Sequence, residues 1–189
     1  MLNHACAKIV KVMIRQKTTK GFTIVELLIV IVVIGILAAI TIVAFNGIQQ
    51  RGRDSQRKSD VAMITKALEL YYIDNGEFPA GNGSTTINGA WSTTADTSWA
   101  SLAAKLKPYI SALPSDPTST PGVNVQGSGY NYAYFSNTGL GTTYCGASTK
   151  QMYILVYRLE VGEQVYTPIG ACTTMALSYS GASNYRVVK

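Results

Sequence analysis

Three regimes of hydrophobic and polar positions divide the chain. From Phe22 to Phe45 the side chains are apolar almost without interruption, and only Thr23, Glu26 and Thr41 are polar. At about 1.5 Å per residue, a helix of this length covers the roughly 30 Å of hydrocarbon in a bilayer. A polar, charged run follows from Gln49 to Asp60, and then Val61, Ile64, Leu68 and Tyr71 or Tyr72 recur at spacings of three and four. Such spacing gives one apolar face that packs on a globular domain. Asp74-Asn75-Gly76 supplies a stop with Pro79 just beyond it, so the pattern predicts one helix from about Thr23 to Asp74. At 1.5 Å per residue that helix is roughly 75 to 80 Å long. Gly47 and Gly52 are its weak points, since glycine inside a helix costs about 1 kcal/mol relative to alanine.

In the third regime the period changes. Residues Ala80 to Thr97 are rich in Gly, Asn, Ser and Thr and read as a mobile surface loop with little core of its own. Trp99, Leu102, Leu106 and Ile110 return to helical spacing, with Pro108 limiting the end and Trp99 read as a packing residue. A second loop runs from Leu113-Pro114-Ser115-Asp116-Pro117 to Gly129. Tyr130, Tyr132 and Tyr134 then alternate with Asn131 and Ala133, which predicts a strand, and Gln151 to Glu160 is apolar on both faces, which predicts a strand covered on both sides. Gln164 to Tyr166 and Tyr185 to Val188 read as further strands. The fold class is therefore α+β: a long N-terminal helix, its first half membrane-spanning, packed on a small antiparallel sheet.

Glu26 does not fit a plain anchor, because an ionised carboxylate in hydrocarbon is expensive. Taken alone, it is accounted for by snorkelling near the end of the span or by a place in the first helical turn, where the macrodipole favours negative charge. Gly21, the basic flank before it and Phe22 after it add to the pattern. Together with Glu26 they resemble the class III signal of type IV pilins and pseudopilins. The runs Arg53-Asp54-Ser55-Gln56-Arg57-Lys58-Ser59-Asp60, Ala67 to Tyr72 and Asp74 to Pro79 also resemble the helix and its exit in major pseudopilins and in pilins of single-membrane bacteria. The likeness covers the first 80 residues or so and is loose beyond them.

That resemblance implies a leader over 1–21, a hydrophobic helix over 22–46, an amphipathic helical half over 47–75 and a globular head over 76–189. It implies cleavage between Gly21 and Phe22, methylation of the new N-terminus on Phe22, and a charge pair between Glu26 and the terminal amine on Phe22 of a neighbouring subunit. The physics agrees, since opposite charges attract strongly in a low-dielectric helix bundle and a lone survivor is left buried and unpaired. The partners implied are other pilin subunits in a homopolymer, a prepilin peptidase and methyltransferase, an assembly platform with its ATPase, and the membrane. Two departures stand out: many family members carry a proline near the position of Val43, and this chain has Gly47 and Gly52 instead. Major pseudopilins also tend to bind calcium through acids and carbonyls in the C-terminal region, whereas no Asp or Glu follows Glu163 here, so no metal is assigned.

The formal charge of +6 is concentrated in the leader, where Lys8, Lys11, Arg15, Lys17 and Lys20 meet no acid. Past the proposed cut, 11 basic and 10 acidic residues leave +1, and nothing in that balance asks for nucleic acid. Bases on both sides of the span keep the positive-inside rule from deciding orientation, and Met13 offers a second start with a shorter leader. The family likeness and the cysteines place the N-terminus in the cytoplasm. A conventional secretory signal fits poorly, because the apolar stretch is too long and no small-x-small site follows it. Arg51, Arg53, Arg57 and Lys58 read either as a solvated face or as bases for ion pairs between subunits.

His4 and Cys6 also lie in the leader, which leaves the rest without histidine. Cys145 and Cys172 remain, an even number that in an exported domain reads as one disulfide, worth about 3 to 4 kcal/mol in the chain-entropy model. Two unrelated buried thiols are the alternative. Asn82-Gly83-Ser84 fits a glycosylation sequon that also arises often by chance. No nucleophile elbow, phosphate loop or spaced metal ligands occur, so neither an enzyme nor a cofactor is expected. Twelve tyrosines suit either sheet packing or a binding face. The function expected is a structural prepilin, held in the cytoplasmic membrane and then built into an extracellular type IV pilus. A pseudopilin of a secretion or competence system and a membrane-anchored surface binding domain are the alternatives.

Overall fold

A computed structural model describes residues 21–123, 129–136, 147–161 and 185–188. It consists of helix α1 (Ile24–Asn75), strand β1 (Trp91–Thr93), helix α2 (Ser98–Leu106) and strands β2 (Ala133–Ser136), β3 (Tyr153–Tyr157) and β4 (Tyr185–Val188). Outside the described residues lie His4, Cys6, Met13 and the rest of the leader before Gly21, the strand expected at Gln164 to Tyr166, and both Cys145 and Cys172, so the expected disulfide falls there too.

The chain divides into two units, one ending at Ala44 and one beginning at Phe45. In the first, α1 is apolar all round, and among the described residues it is the one helix long and apolar enough, by length and composition, to cross a membrane. Its assignment continues through Gly47 and Gly52 to Asn75. The end is a glycine cap: Gly76 adopts φ +71° and its N–H donates to the carbonyl of Tyr72 at 2.8 Å. An L side chain rarely takes that backbone, so the Asn75-Gly76 pair closes the helix and frees the chain to turn back.

In the second unit the four strands form a sheet in sequence order, each antiparallel to its neighbour. Trp91 pairs with Phe135, Phe135 with Ile154, and Ile154 with Val188. The period of two in β3 sends Tyr153, Leu155 and Tyr157 toward α1 and α2, where they meet Val61, Ile64, Leu68, Trp99, Leu102 and Leu106. Ile154 and Val156 point to the opposite side with Trp91, Ala133 and Met152. All five residues of β3 are buried, as a strand apolar on both faces requires. Tyr132, Tyr134 and Tyr153 are core residues at 0% exposure, which assigns them to packing rather than to a binding face.

Three expectations need adjustment. The stretch from Ala80 to Thr97 carries β1 and buries Trp91, Ser92, Thr93 and Ala95, because side-chain hydrogen bonds replace the apolar content that its composition lacks. Asp96 gathers five of these bonds: Oδ2 accepts from Ser84 Oγ and from the N–H groups of Thr85 and Thr86 at 2.8 to 3.0 Å, and Oδ1 accepts from the N–H and hydroxyl of Ser98. Gly81 lies so close to β2 that a Cβ there would stand 3.0 Å from the Tyr134 carbonyl oxygen. Strand β2 starts at Ala133 rather than Tyr130, since Asn131 is spent on the preceding turn, donating to the carbonyls of Thr120 and Val123 at 2.9 Å. Helix α2 ends at Leu106, whose carbonyl accepts from both Tyr109 and Ile110. Trp99 packs in the core and donates its indole N–H to the Pro114 carbonyl at 3.0 Å.

Candidate processing and assembly site

Gly21, Phe22 and Glu26 sit together at the start of α1. Thr23 occupies the N-cap position, and its hydroxyl oxygen accepts from the Glu26 N–H at 3.2 Å. Glu26 Oε2 reaches back to the Thr23 N–H at 2.8 Å and to its hydroxyl at 2.7 Å. This reciprocal pair is a capping box, and it satisfies donors that a helix start otherwise leaves open. The sequence shows it as Thr23-Ile24-Val25-Glu26, a threonine followed three residues later by an acid, and the charge argument about Glu26 alone passed over it. The Thr23 N–H belongs to the Phe22–Thr23 peptide bond, so scission between Gly21 and Phe22 leaves the box intact. Both side-chain bonds fall on Oε2, and among the described residues Oε1 accepts none. One oxygen of the carboxylate is thus committed to the helix and the other is open.

Beyond the capping box the first unit exposes bulk apolar surface. Phe22, Ile24 and Val25 stand out, and Leu27 through Ile42 follow, all exposed in the single chain. Surface of this size and character is covered in a working molecule by lipid or by other apolar helices.

A second cluster lies at Arg53 to Asp60. The sequence leaves Arg53 and Arg57 either solvated or paired between subunits, and the structure pairs both with acids of the same chain. Arg57 is fully buried, and each of its five N–H groups has an acceptor. Nε and Nη2 grip Asp116 at 2.7 and 3.0 Å, Nη1 donates to Asp54 and Glu160 at 2.8 Å each, and Nη2 also donates to Thr118 Oγ1 at 2.7 Å. The Tyr130 ring covers the guanidinium at 4.7 Å. Burial works against the Arg57 charge, but the bonds to Asp116 and Glu160 outweigh it and raise the group's pKa further. Arg53 holds Glu160 through both oxygens, and this, with Arg57, draws the Glu160 carboxyl down to about 2. Nearby, Tyr132 donates its hydroxyl to Asp60 at 2.9 Å. Burial and that anionic neighbour push the Tyr132 phenol far above its usual range. Arg51 and Lys58 remain exposed.

The spacing carried a signal for the burial of Arg57. Asp54, Arg57, Val61, Ile64 and Leu68 follow one another at three and four, so the two charged residues continue the stripe that the apolar ones define. Reading charge as exposure hid it. Ser84 of the sequon triplet is likewise buried and bonded to Asp96. No group of three or more His, Cys, Asp and Glu able to hold a metal occurs among the described residues.

Residues 16–42 match the model described as the prokaryotic N-terminal methylation motif, which takes in Gly21, Phe22, Thr23 and Glu26. Among similar proteins, the type II secretion system core protein G of Escherichia coli is 33% identical over 100 residues, 52% of this chain and 66% of that protein. The type IV wide pilus major component of Thermus thermophilus is 32% identical over 94 residues, 50% of this chain and 72% of its own length. A fimbrial protein of Neisseria meningitidis is 37% identical over 68 residues, 36% of this chain and 40% of its own length. The matched stretches thus span between two fifths and just under three quarters of these relatives and about half or less of this chain. No solved structure matches the chain with significance.

Proposed function

This chain belongs to the type IV pilin and pseudopilin family, and from that premise we propose that it is a prepilin, cut between Gly21 and Phe22, methylated on Phe22 and polymerised into a type IV pilus. The observation that carries the reading is the coincidence, within the methylation motif of residues 16–42, of the Gly21–Phe22 bond, the capping box and an exposed apolar helix. Removal of the leader creates a cationic amine one residue before Thr23, and Glu26 Oε1 is the anion that receives the corresponding amine of a neighbouring subunit. Each carboxylate then serves its own helix start through one oxygen and the next subunit through the other. The role is structural rather than catalytic. Its partners are copies of itself, a prepilin peptidase and methyltransferase, and an assembly platform with an ATPase. The subunit waits in the cytoplasmic membrane with its head outside and ends in a surface filament.

A pseudopilin, whose filament stays in the envelope, is the second reading, and the likeness to the Escherichia coli secretion protein supports it. The likeness to the major component of a wide type IV pilus supports the first. Mass spectrometry of the N-terminal peptide in sheared surface filaments and in the residual envelope separates the two. A peptide beginning at methylated Phe22 in the sheared filaments is the expected result. The same peptide confined to the envelope favours the pseudopilin, and an intact Gly21–Phe22 bond in both fractions overturns processing altogether.

A further inference from the structure

Likeness to major pseudopilins implies a calcium ion held by acids and carbonyls of the C-terminal region, and the residues present do not fit one. Calcium needs six to eight oxygens converging on one point, with carboxylates prominent among them. After Glu163 the sequence has no Asp or Glu, and in the described head Asp54, Asp116 and Glu160 meet at one place. All six of their oxygens are already engaged by N–H or O–H groups of the chain. Asp116 Oδ2 accepts from Arg57 Nε, and Oδ1 from Arg57 Nη2 and from the N–H and hydroxyl of Thr118 at 2.7 to 3.0 Å. Asp54 Oδ1 accepts from Arg57 Nη1 and the Glu160 N–H, and its Oδ2 from the Val161 N–H, all at 2.8 to 2.9 Å. Glu160 Oε1 accepts from Arg53 and Arg57, and Oε2 from Arg53.

What these carboxylates converge on is a guanidinium. Arg57 gathers acids from three separate parts of the chain: α1, the loop after α2, and the segment that leaves β3. A divalent ion that gathers carboxylates to one centre arrives from solution and leaves when the solution lacks it. A covalently attached cation does neither. We propose that Arg57 is the built-in counter-cation of the head, doing permanently what a bound divalent ion would do conditionally, so that the fold of this subunit is indifferent to calcium. The planar fork suits the task, because it matches one carboxylate at two points and still presents two N–H groups to others. An ammonium, with three donors and no plane, cannot reproduce the set.

Thermal melting of the full-length chain in detergent micelles, followed by tryptophan fluorescence, tests this with calcium and with excess EGTA. The wild-type midpoint is expected to be the same in both. Arg57→Gln leaves the buried Asp54 and Asp116 and the partly buried Glu160 without their shared cation, so its midpoint is expected to fall by roughly 10 °C or more in EGTA and to recover in part when calcium is added. A fall in the wild-type midpoint on chelation overturns the proposal whether or not the variant folds. An Arg57→Gln chain that melts with the wild type overturns it as well.

Discussion

Arg57 and Asp116, 59 positions apart in sequence, form a two-point ion pair in which neither side chain meets water: Nε stands 2.7 Å from Oδ2 and Nη2 3.0 Å from Oδ1. Breaking a buried pair by removing one partner is far more damaging than never having made it, because the survivor stays charged and dry. Asp116→Asn should therefore lose about 3 to 5 kcal/mol in urea unfolding of the full chain. Combined with Arg57→Met, the loss should be smaller than the sum of the two single losses. Simple additivity would show that the pair is not coupled.

Acid should weaken the same cluster through Glu160. Its carboxyl lies near 2 in the folded chain against an ordinary 4.5, chiefly because Arg53 donates to it. A lowered folded value means stability that is fully present above the ordinary value and lost as pH falls toward the folded one. Glu160 should thus contribute above about pH 4.5 and progressively less down to about pH 2. Denaturant midpoints taken across that range should drop more steeply for wild type than for Glu160→Gln, and parallel profiles would remove Glu160 from the account.

Asp96 tests whether the polar stretch before α2 is held by side chains rather than by apolar packing. Burial pushes its carboxyl up, yet the bonds from Ser98, Ser84 and Thr86 outweigh burial and hold it well below the usual carboxylate range. Asp96→Ala should speed proteolytic nicking between Asn82 and Asn88 while leaving the antiparallel sheet signal in circular dichroism. Unchanged nicking would show that β1 alone keeps this stretch in place.

At the helix start, Thr23→Ser keeps both halves of the capping box, whereas Thr23→Val loses both hydroxyl bonds and keeps only the backbone N–H donation to Glu26. Yields of sheared filament should follow that order, with the serine variant near wild type, as should processing measured by the Phe22 peptide. Equal yields would separate the Thr23 hydroxyl from assembly.

Leu68 lies at 0% exposure where α1 meets the sheet, so Leu68→Ala should destabilise the head by about 2 to 5 kcal/mol in chemical denaturation. Cleavage between Gly21 and Phe22 should continue in this variant, because the capping box is made entirely within residues 23–26.

Periodicity carried much of the fold. The long helix was legible from end to end, because an unbroken apolar run, a three-and-four stripe and the Asn75-Gly76 stop each have a distinct pattern. Strand β3 and the backbone of β4 were legible for the same reason. What escaped was polar burial. Trp91 to Thr93 form a strand within a stretch whose Gly, Asn, Ser and Thr content signals a loop, and composition does not reveal that Asp96 will organise it. Arg57 escaped for a related reason: an arginine in a charged run looks solvated until three distant acids are brought to it, and only tertiary structure does that. At the start of α1 Gly21, Phe22 and Glu26 were visible as a motif, while the second tie of Glu26 to Thr23 needed the helix cap to be considered.

The Arg57 cluster also has an order in time. Asp54 and Arg57 are made early, Asp116 later and Glu160 later still, and the last contact lies 103 residues downstream of the arginine. On the proposed prepilin reading, the chain crosses the membrane with its N-terminus anchored and delivers these groups in that order. Until Glu160 emerges, one N–H of Arg57 lacks its acceptor and Arg53 lacks the carboxylate that holds it. The interval between the two is when the nascent subunit is open to proteases, to premature association and to any factor that holds it. The arrival of Glu160 ends that interval, and translocation speed sets its length.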